Sequence, residues 1–173
     1  RIPNCDYRAA DFDITAVNFL KQKLSVHKVF YANSLINVSR ENYRISNDKF
    51  LINIGNPPYN DVTSEYKNGL KGKNECDKDL FDRDLGVSFL KSYNKLKSDL
   101  VCVLHPLSYL IKQTNFERLK EFKDNYRLSK GIIFSSSMFA GTGSTKFPIV
   151  IALYERNSIG MNFENIKNFE FDV

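Results

Sequence analysis

Short apolar runs alternate along this chain with stretches in which apolar residues return every three or four positions, and the alternation predicts strands and helices in turn. Ala9 to Ile14 reads as a strand and Thr15 to Leu24 as a helix, with Val17, Leu20 and Leu24 on one face. Lys28 to Ala32 is a second strand. Phe50 to Ile54 is a third, ended by Gly55-Asn56-Pro57-Pro58. The stretch from Asn60 to about Cys76 is too rich in Lys, Asn, Gly and Asp to form core. Asp79 to Lys97 is predicted helical through Phe81, Leu85, Phe89, Tyr93 and Leu96. Leu100 to Leu104 is apolar throughout, as in a buried parallel sheet. Thr114-x-x-Glu117 has the form of a capping box and predicts a helix through Phe116, Leu119 and Phe122. Arg127 to Phe134 and Phe147 to Tyr154 are two further strands with a Ser/Gly/Thr-rich loop between them. From Glu155 onward the chain is polar with scattered aromatics, and the pattern places no element there.

There are no repeats or low-complexity stretches, so the pattern describes one α/β domain. Its 173 residues are enough to bury a core, and 42% hydrophobic with 26% charged residues is a globular composition. No run of 18 apolar residues exists, so no membrane span is expected, and Arg1-Ile2-Pro3-Asn4-Cys5 has no apolar signal region. The first residue is not Met, which reads as an excised piece of a longer protein. Cys5, Cys76 and Cys102 are odd in number and widely spaced, which reads as reduced thiols in the cytoplasm. Neither His27 nor His105 has a ligand-like spacing to them, so no metal is expected. The net charge of +5 is compatible with nucleic acid without specifying it.

Chemistry concentrates in Asn56-Pro57-Pro58-Tyr59, at the carboxyl end of an apolar strand, where open α/β sheets place their ligands. The four residues suit methylation of an exocyclic amine. The lone pair of adenine N6 is delocalised into the ring, so the amine is a poor nucleophile. Two acceptors aimed at its two N–H groups favour the pyramidal, reactive form. The Asn56 side-chain oxygen is one candidate acceptor and the Pro57 carbonyl the other, with its direction set by the locked φ of the proline pair. Tyr59 offers an aromatic face to a flipped-out base. A stiff strand exit is the plainer reading of the same four residues.

The motif and its companions resemble the N6-adenine DNA methyltransferases of restriction–modification systems. The resemblance covers nearly the whole chain and implies a Rossmann-like S-adenosylmethionine-dependent fold, a mostly parallel sheet with a C-terminal antiparallel hairpin. It implies that Asp13, with Asp11 as the fallback, holds the ribose hydroxyls of S-adenosylmethionine after Phe12-Asp13-Ile14. It places Asn33 and Ser34, in Tyr31-Ala32-Asn33-Ser34-Leu35, near the cofactor's adenine. Asp79-Leu80-Phe81 matches the segment after the catalytic loop, and Pro106-Leu107-Ser108-Tyr109-Leu110 a strand-exit element. Phe139 takes the role of the aromatic that stacks on the flipped adenine, with Phe134 and Phe147 as alternatives. Gly141-Thr142-Gly143-Ser144-Thr145-Lys146 fails the phosphate-loop spacing and leads into a strand, so Lys146 is expected at most to touch a DNA phosphate.

The family's glycine-rich cofactor loop and its target-recognition domain are not found in these residues. Residues 1–173 are therefore expected to be a partial catalytic domain, cut at both ends and inactive alone. The gap left by the central strand is expected to be filled from outside the 173 residues. Double-stranded DNA is the expected partner, and a restriction endonuclease or specificity module is the further partner that the resemblance implies for the parent. Three rivals stay open: a glutamine-amide methyltransferase, an RNA methyltransferase, and a non-catalytic DNA-binding fragment.

Overall fold

In the computed structural model, residues 5–23, 28–59, 75–139 and 146–173 are described. Leu24, most of the polar 60–76 stretch and residues 140–145 of the glycine-rich loop lie outside them. The elements run β1 (Ala9–Asp11), α1 (Ile14–Lys23), β2 (Val29–Tyr31), β3 (Ile52–Gly55), α2 (Leu85–Lys95) and β4 (Leu100–Pro106). Three short helices follow: α3 (Ser108–Ile111), α4 (Gln113–Glu117) and α5 (Glu121–Asn125). The long strands β5 (Tyr126–Ser135) and β6 (Pro148–Arg156) lead to α6 (Phe163–Lys167). No helix among the described residues is long and apolar enough to cross a membrane.

Two sheets result. β1 and β2 pair in parallel, and a four-stranded sheet has the order β3-β4-β6-β5. β3 and β4 are parallel, while β6 runs antiparallel to both its neighbours. This is the expected α/β arrangement with an antiparallel hairpin. Among the described residues no ladder joins β1 to β3, so the sheet is split where a central strand was expected.

Alternation along β4 and β6 sorts their side chains between two faces. Val101, Val103 and His105 lie opposite Tyr154, Ala152 and Val150, all at 1% exposure or less. This face packs with α2–α5 into the main core, with Phe116, Leu119 and Phe122. The other face carries Ile52, Ile54, Ile132 and Ile151, all exposed. The segment after β2 is stapled to the end of α2 by Arg40, whose guanidinium donates to the carbonyls of Leu96, Lys97, Ser46 and Lys49. A cation on the last carbonyls of a helix also complements its dipole.

Three expectations need correction. The helix predicted from Asp79 begins only at Leu85. Asp82 and Asp84 each accept a hydrogen bond from the backbone two residues on, which offers the chain a turn in place of helix, and Asp84 becomes the N-cap. Phe81 is left exposed. The Thr114 capping box does not form: Thr114 lies inside α4, whose first residue follows Lys112 with no side-chain cap. The helix expected through Phe122 breaks at Lys120, which has φ +48°, and fully buried Leu119 and Phe122 anchor the chain on either side. Finally, the unplaced tail is part of the fold. Asn162 caps α6, Ile166 is buried, and Phe163, Phe169 and Phe171 pack on the main core. Phe171 lies over Gly131 so closely that a Cβ there would come within 2.6 Å of its ring.

His105 is wholly buried in this core. Its Nδ1 faces the Pro106 carbonyl at 2.9 Å, which requires Nδ1–H, so Nε2 accepts from the Tyr154 hydroxyl at 2.7 Å. Burial pushes the imidazole pKa down to about 4, against an unfolded value near 6.5. The unfolded chain therefore takes up a proton below pH 6.5 that the folded chain refuses until about pH 4. Stability should fall as pH drops through that window, by up to about 3 kcal/mol from this group. Urea midpoints from pH 7 to 4.5 measure the loss, and a folded-state NMR titration of His105 near pH 6.5 would refute its origin.

Candidate active site

Because β3, β4 and β5 point the same way, their carboxyl ends share one edge of the sheet, where β6 begins. That edge gathers Asn56–Tyr59, the Pro106–Leu107 exit, the turn after β5 and the start of β6. Two backbone bonds lock it: Leu107 donates to the Pro148 carbonyl at 3.1 Å and Ser136 to the Phe147 carbonyl at 2.9 Å.

The proline loop leaves β3 through Gly55. A Cβ there would run into the Tyr93 hydroxyl on α2, so any larger residue would require the Tyr93 ring to shift. The strand itself is pinned by Asn53, which donates to Ser98 Oγ at 2.7 Å, and by the Leu51 amide, which donates to Asp99 at 2.7 Å. Pro57 is buried, while Asn56 and Pro58 are exposed. The Tyr59 hydroxyl lies 2.5 Å from Asn56 Oδ1 and 2.6 Å from the Leu104 carbonyl. Burial pushes its pKa up to about 12, so the phenol stays protonated at ordinary pH.

The other candidate residues fall into two groups. At the loop's edge, Phe139 is 41% exposed and packs on Phe134 with ring centroids 5.9 Å apart. Lys146 and Phe147 are exposed beside it. Phe139 thus shares the edge with Tyr59, Phe139 standing by β5 and Tyr59 against β4.

The second group surrounds the small sheet. Asp13 caps α1: its Oδ1 accepts from the Thr15 amide at 2.7 Å and from Ala16 at 3.4 Å. Asp11, the last residue of β1, accepts from the Asp13 amide at 2.8 Å. Asn33 accepts from the Leu35 amide and donates to the Glu75 carbonyl. The Ser34 carbonyl accepts from Ser92 on α2. An open cleft of about 590 Å³ has Asn33 in its wall, together with Tyr31, Ala32, Asn37 and Tyr43 among others.

Sequence reasoning missed one feature here. Phe12 and Tyr31 are both more than half exposed, yet their rings are nearly parallel at 8° with centroids 5.8 Å apart. The signal was Phe12 itself, an aromatic between two aspartates at a strand end. Carboxylates suit a ribose diol, and exposed aromatic faces suit a purine. The donor set around β1 and β2 thus fits the adenosine half of S-adenosylmethionine.

A family model described as Eco57I restriction-modification methylase matches residues 6–139. No curated protein sequence matches the chain. Among solved structures, the chain is similar to a protein from Vibrio vulnificus YJ016 assigned as the modification subunit of a type I restriction enzyme. The TM-score is 0.59 at 15% identity, over 92% of this chain and 39% of that one. It is also similar to a protein from Listeria monocytogenes assigned as a class I S-adenosylmethionine-dependent methyltransferase, with TM-score 0.54 and 13% identity over 92% and 48%. The chain therefore spans less than half the length of either structure.

Proposed function

This chain belongs to the Eco57I restriction-modification methylase family, and on that premise we propose that it forms part of an enzyme that methylates the N6 amino group of a flipped-out adenine in double-stranded DNA. S-adenosylmethionine is the methyl donor. The observation that carries the reading is the loop Asn56–Tyr59: an exposed carboxamide at the carboxyl edge of the sheet, held against β4 through Tyr59.

In this reading Asn56 Oδ1 and the Pro57 carbonyl accept the two N–H groups of the adenine amine. That concentrates the nitrogen lone pair for attack, by acceptors already in place before the reaction begins. An adenine inside the duplex cannot reach the loop, so it must leave the stack. The ring of Tyr59 and, across the edge, Phe139 are its aromatic contacts, and Lys146 touches a backbone phosphate. Asp13, with Asp11 as the alternative, holds the ribose of the cofactor through the carboxylate oxygen that its own backbone contact leaves over. Phe12, Tyr31, Asn33 and Ser34 lie beside its adenine. When bound, the sulfonium supplies an activated methyl group, so the protein's part is alignment and no metal is needed. A DNA substrate places the enzyme in the cytoplasm, alongside a restriction endonuclease or specificity module.

The test offers duplex DNA, RNA and a glutamine-containing peptide to the complete protein with labelled S-adenosylmethionine. N6-methyladenine in hydrolysed DNA is expected. Label in RNA or on a glutamine amide, or DNA binding with no transfer at all, would replace this reading with the corresponding rival.

A further inference from the structure

Tyr59 stands between two oxygens with one proton to give. Its Oη lies 2.6 Å from the Leu104 carbonyl and 2.5 Å from Asn56 Oδ1, and both partners are acceptors only. If the proton goes to Leu104, the lone pairs of Tyr59 Oη and Asn56 Oδ1 face each other within hydrogen-bond distance. If it goes to Asn56, the Leu104 carbonyl is opposed instead, and the oxygen that an amine would need is already engaged. A half-turn of the Asn56 carboxamide removes the conflict, because its oxygen and nitrogen are nearly the same size. Asn56 Nδ2–H then donates to Tyr59 Oη, and Tyr59 donates to Leu104. Every group is satisfied, and Oδ1 is left on the solvent side.

We propose that Tyr59 is a positioning residue whose hydroxyl, anchored on the Leu104 carbonyl, sets the orientation of the Asn56 carboxamide and turns Oδ1 toward the substrate amine. The proposal rests on the reading of this loop as the methyl-transfer site, and it gives Tyr59 a role separate from that of its ring. The anchor is rigid: Leu104 pairs with Ile151 in the β4–β6 ladder and directly follows Val103, the last β4 residue paired with β3. The donor is constant as well, since the phenol does not ionise at working pH.

The test compares turnover of the complete methyltransferase as wild type, Tyr59→Phe, Asn56→Asp and the double variant. Tyr59→Phe keeps the ring and removes the proton. Losing one orienting hydrogen bond is expected to lower turnover about tenfold, with KM for DNA and the cofactor dissociation constant unchanged. A carboxylate has two equivalent oxygens and no N–H to misdirect. In the Asn56→Asp background the same Tyr59→Phe change should therefore cost much less. An equal loss in both backgrounds, or wild-type turnover in Tyr59→Phe, would overturn the relay. Exchange of the Asn56 side-chain amide protons, followed by 15N NMR, reads the contact without activity: it should quicken in Tyr59→Phe, and unchanged exchange overturns the relay whatever the kinetics. The two readings fail separately. A silent Asn56→Ala removes the catalytic assignment of the loop, whereas a crippled Asn56→Ala beside an unaffected Tyr59→Phe removes only the relay.

Discussion

Asn56→Ala in the complete methyltransferase should lower turnover on the order of a hundredfold or more, as loss of a preorganised acceptor at a reacting centre typically does. Cofactor affinity should hardly change, because the adenosine-binding candidates sit on the other sheet, around β1 and β2. The fold should not suffer either, since Asn56 is exposed and its side-chain contact is with Tyr59. Rapid-quench single-turnover kinetics isolate the chemical step from product release, and equilibrium titration gives the cofactor affinity. Transfer at the wild-type rate would remove the loop from the mechanism. Weakened cofactor binding with an unchanged chemical step would move Asn56 to the cofactor site.

The largest effect on stability is expected at Phe122. Its ring is stacked on Tyr126 at 4.5 Å and 14°, and meets Tyr154 edge-on at 5.1 Å and 82°. All three side chains have no exposure. Phe122→Ala would leave a ring-sized cavity walled by two tyrosines held from other elements. The Tyr126 hydroxyl is tied to the Ser98 carbonyl and the Tyr154 hydroxyl to His105. Neither wall is free to collapse, so the cost should fall at about 3–5 kcal/mol, the usual range for a buried Phe→Ala change. Urea unfolding of the variant against the parent chain gives the number. A loss below about 1 kcal/mol would mean that this part of the core relaxes far more than its hydrogen bonds suggest.

What was legible in the sequence followed from periodicity and from one motif. The apolar runs of β4 and β6 were found because both strands are apolar nearly throughout, although only alternate residues turn out to be buried. The proline loop was found because its residue types are unusual and its place at a strand end is meaningful. The late start of α2 was not legible. Phe81 continues the helical spacing, but the carboxylates of Asp82 and Asp84 compete for the backbone, and that competition is settled by local hydrogen bonds rather than by hydrophobic pattern. The break at Lys120 was hidden for a similar reason: a lysine with positive φ has no sequence signature. The tail was missed because Phe163, Phe169 and Phe171 pack as three separate anchors and share no period. In the candidate site, Asn56 and Tyr59 were named from sequence, but their contact through Leu104 was not, since it joins residues 45 apart.

β5 carries a further consequence. Tyr126 and Leu128 face the core on even numbers, whereas Gly131 and Ile133 lie opposite the core residues Ala152 and Val150 on odd ones. The change occurs at Ser129, where two steps along β5 match one step of β6 between Tyr154 and Leu153. Glu155 clamps the spot, accepting from Ser129 at 2.7 Å and from Arg127 Nη2 and Nε at 2.6 and 3.0 Å. Ser129 therefore works as a phase shift in the reading of the pleat, like an extra letter that resets which letters are seen from inside. Removing that one residue would restore plain alternation with Tyr126, Leu128, Gly131 and Ile133 all still facing inward, whereas removing one residue elsewhere in the strand would act as a structural frameshift that puts one set of inner residues on the outer face. A single-residue deletion should accordingly be tolerated at the bulge and not elsewhere in this strand, a constraint that acts on insertions and deletions and leaves point substitutions at Ser129 comparatively free.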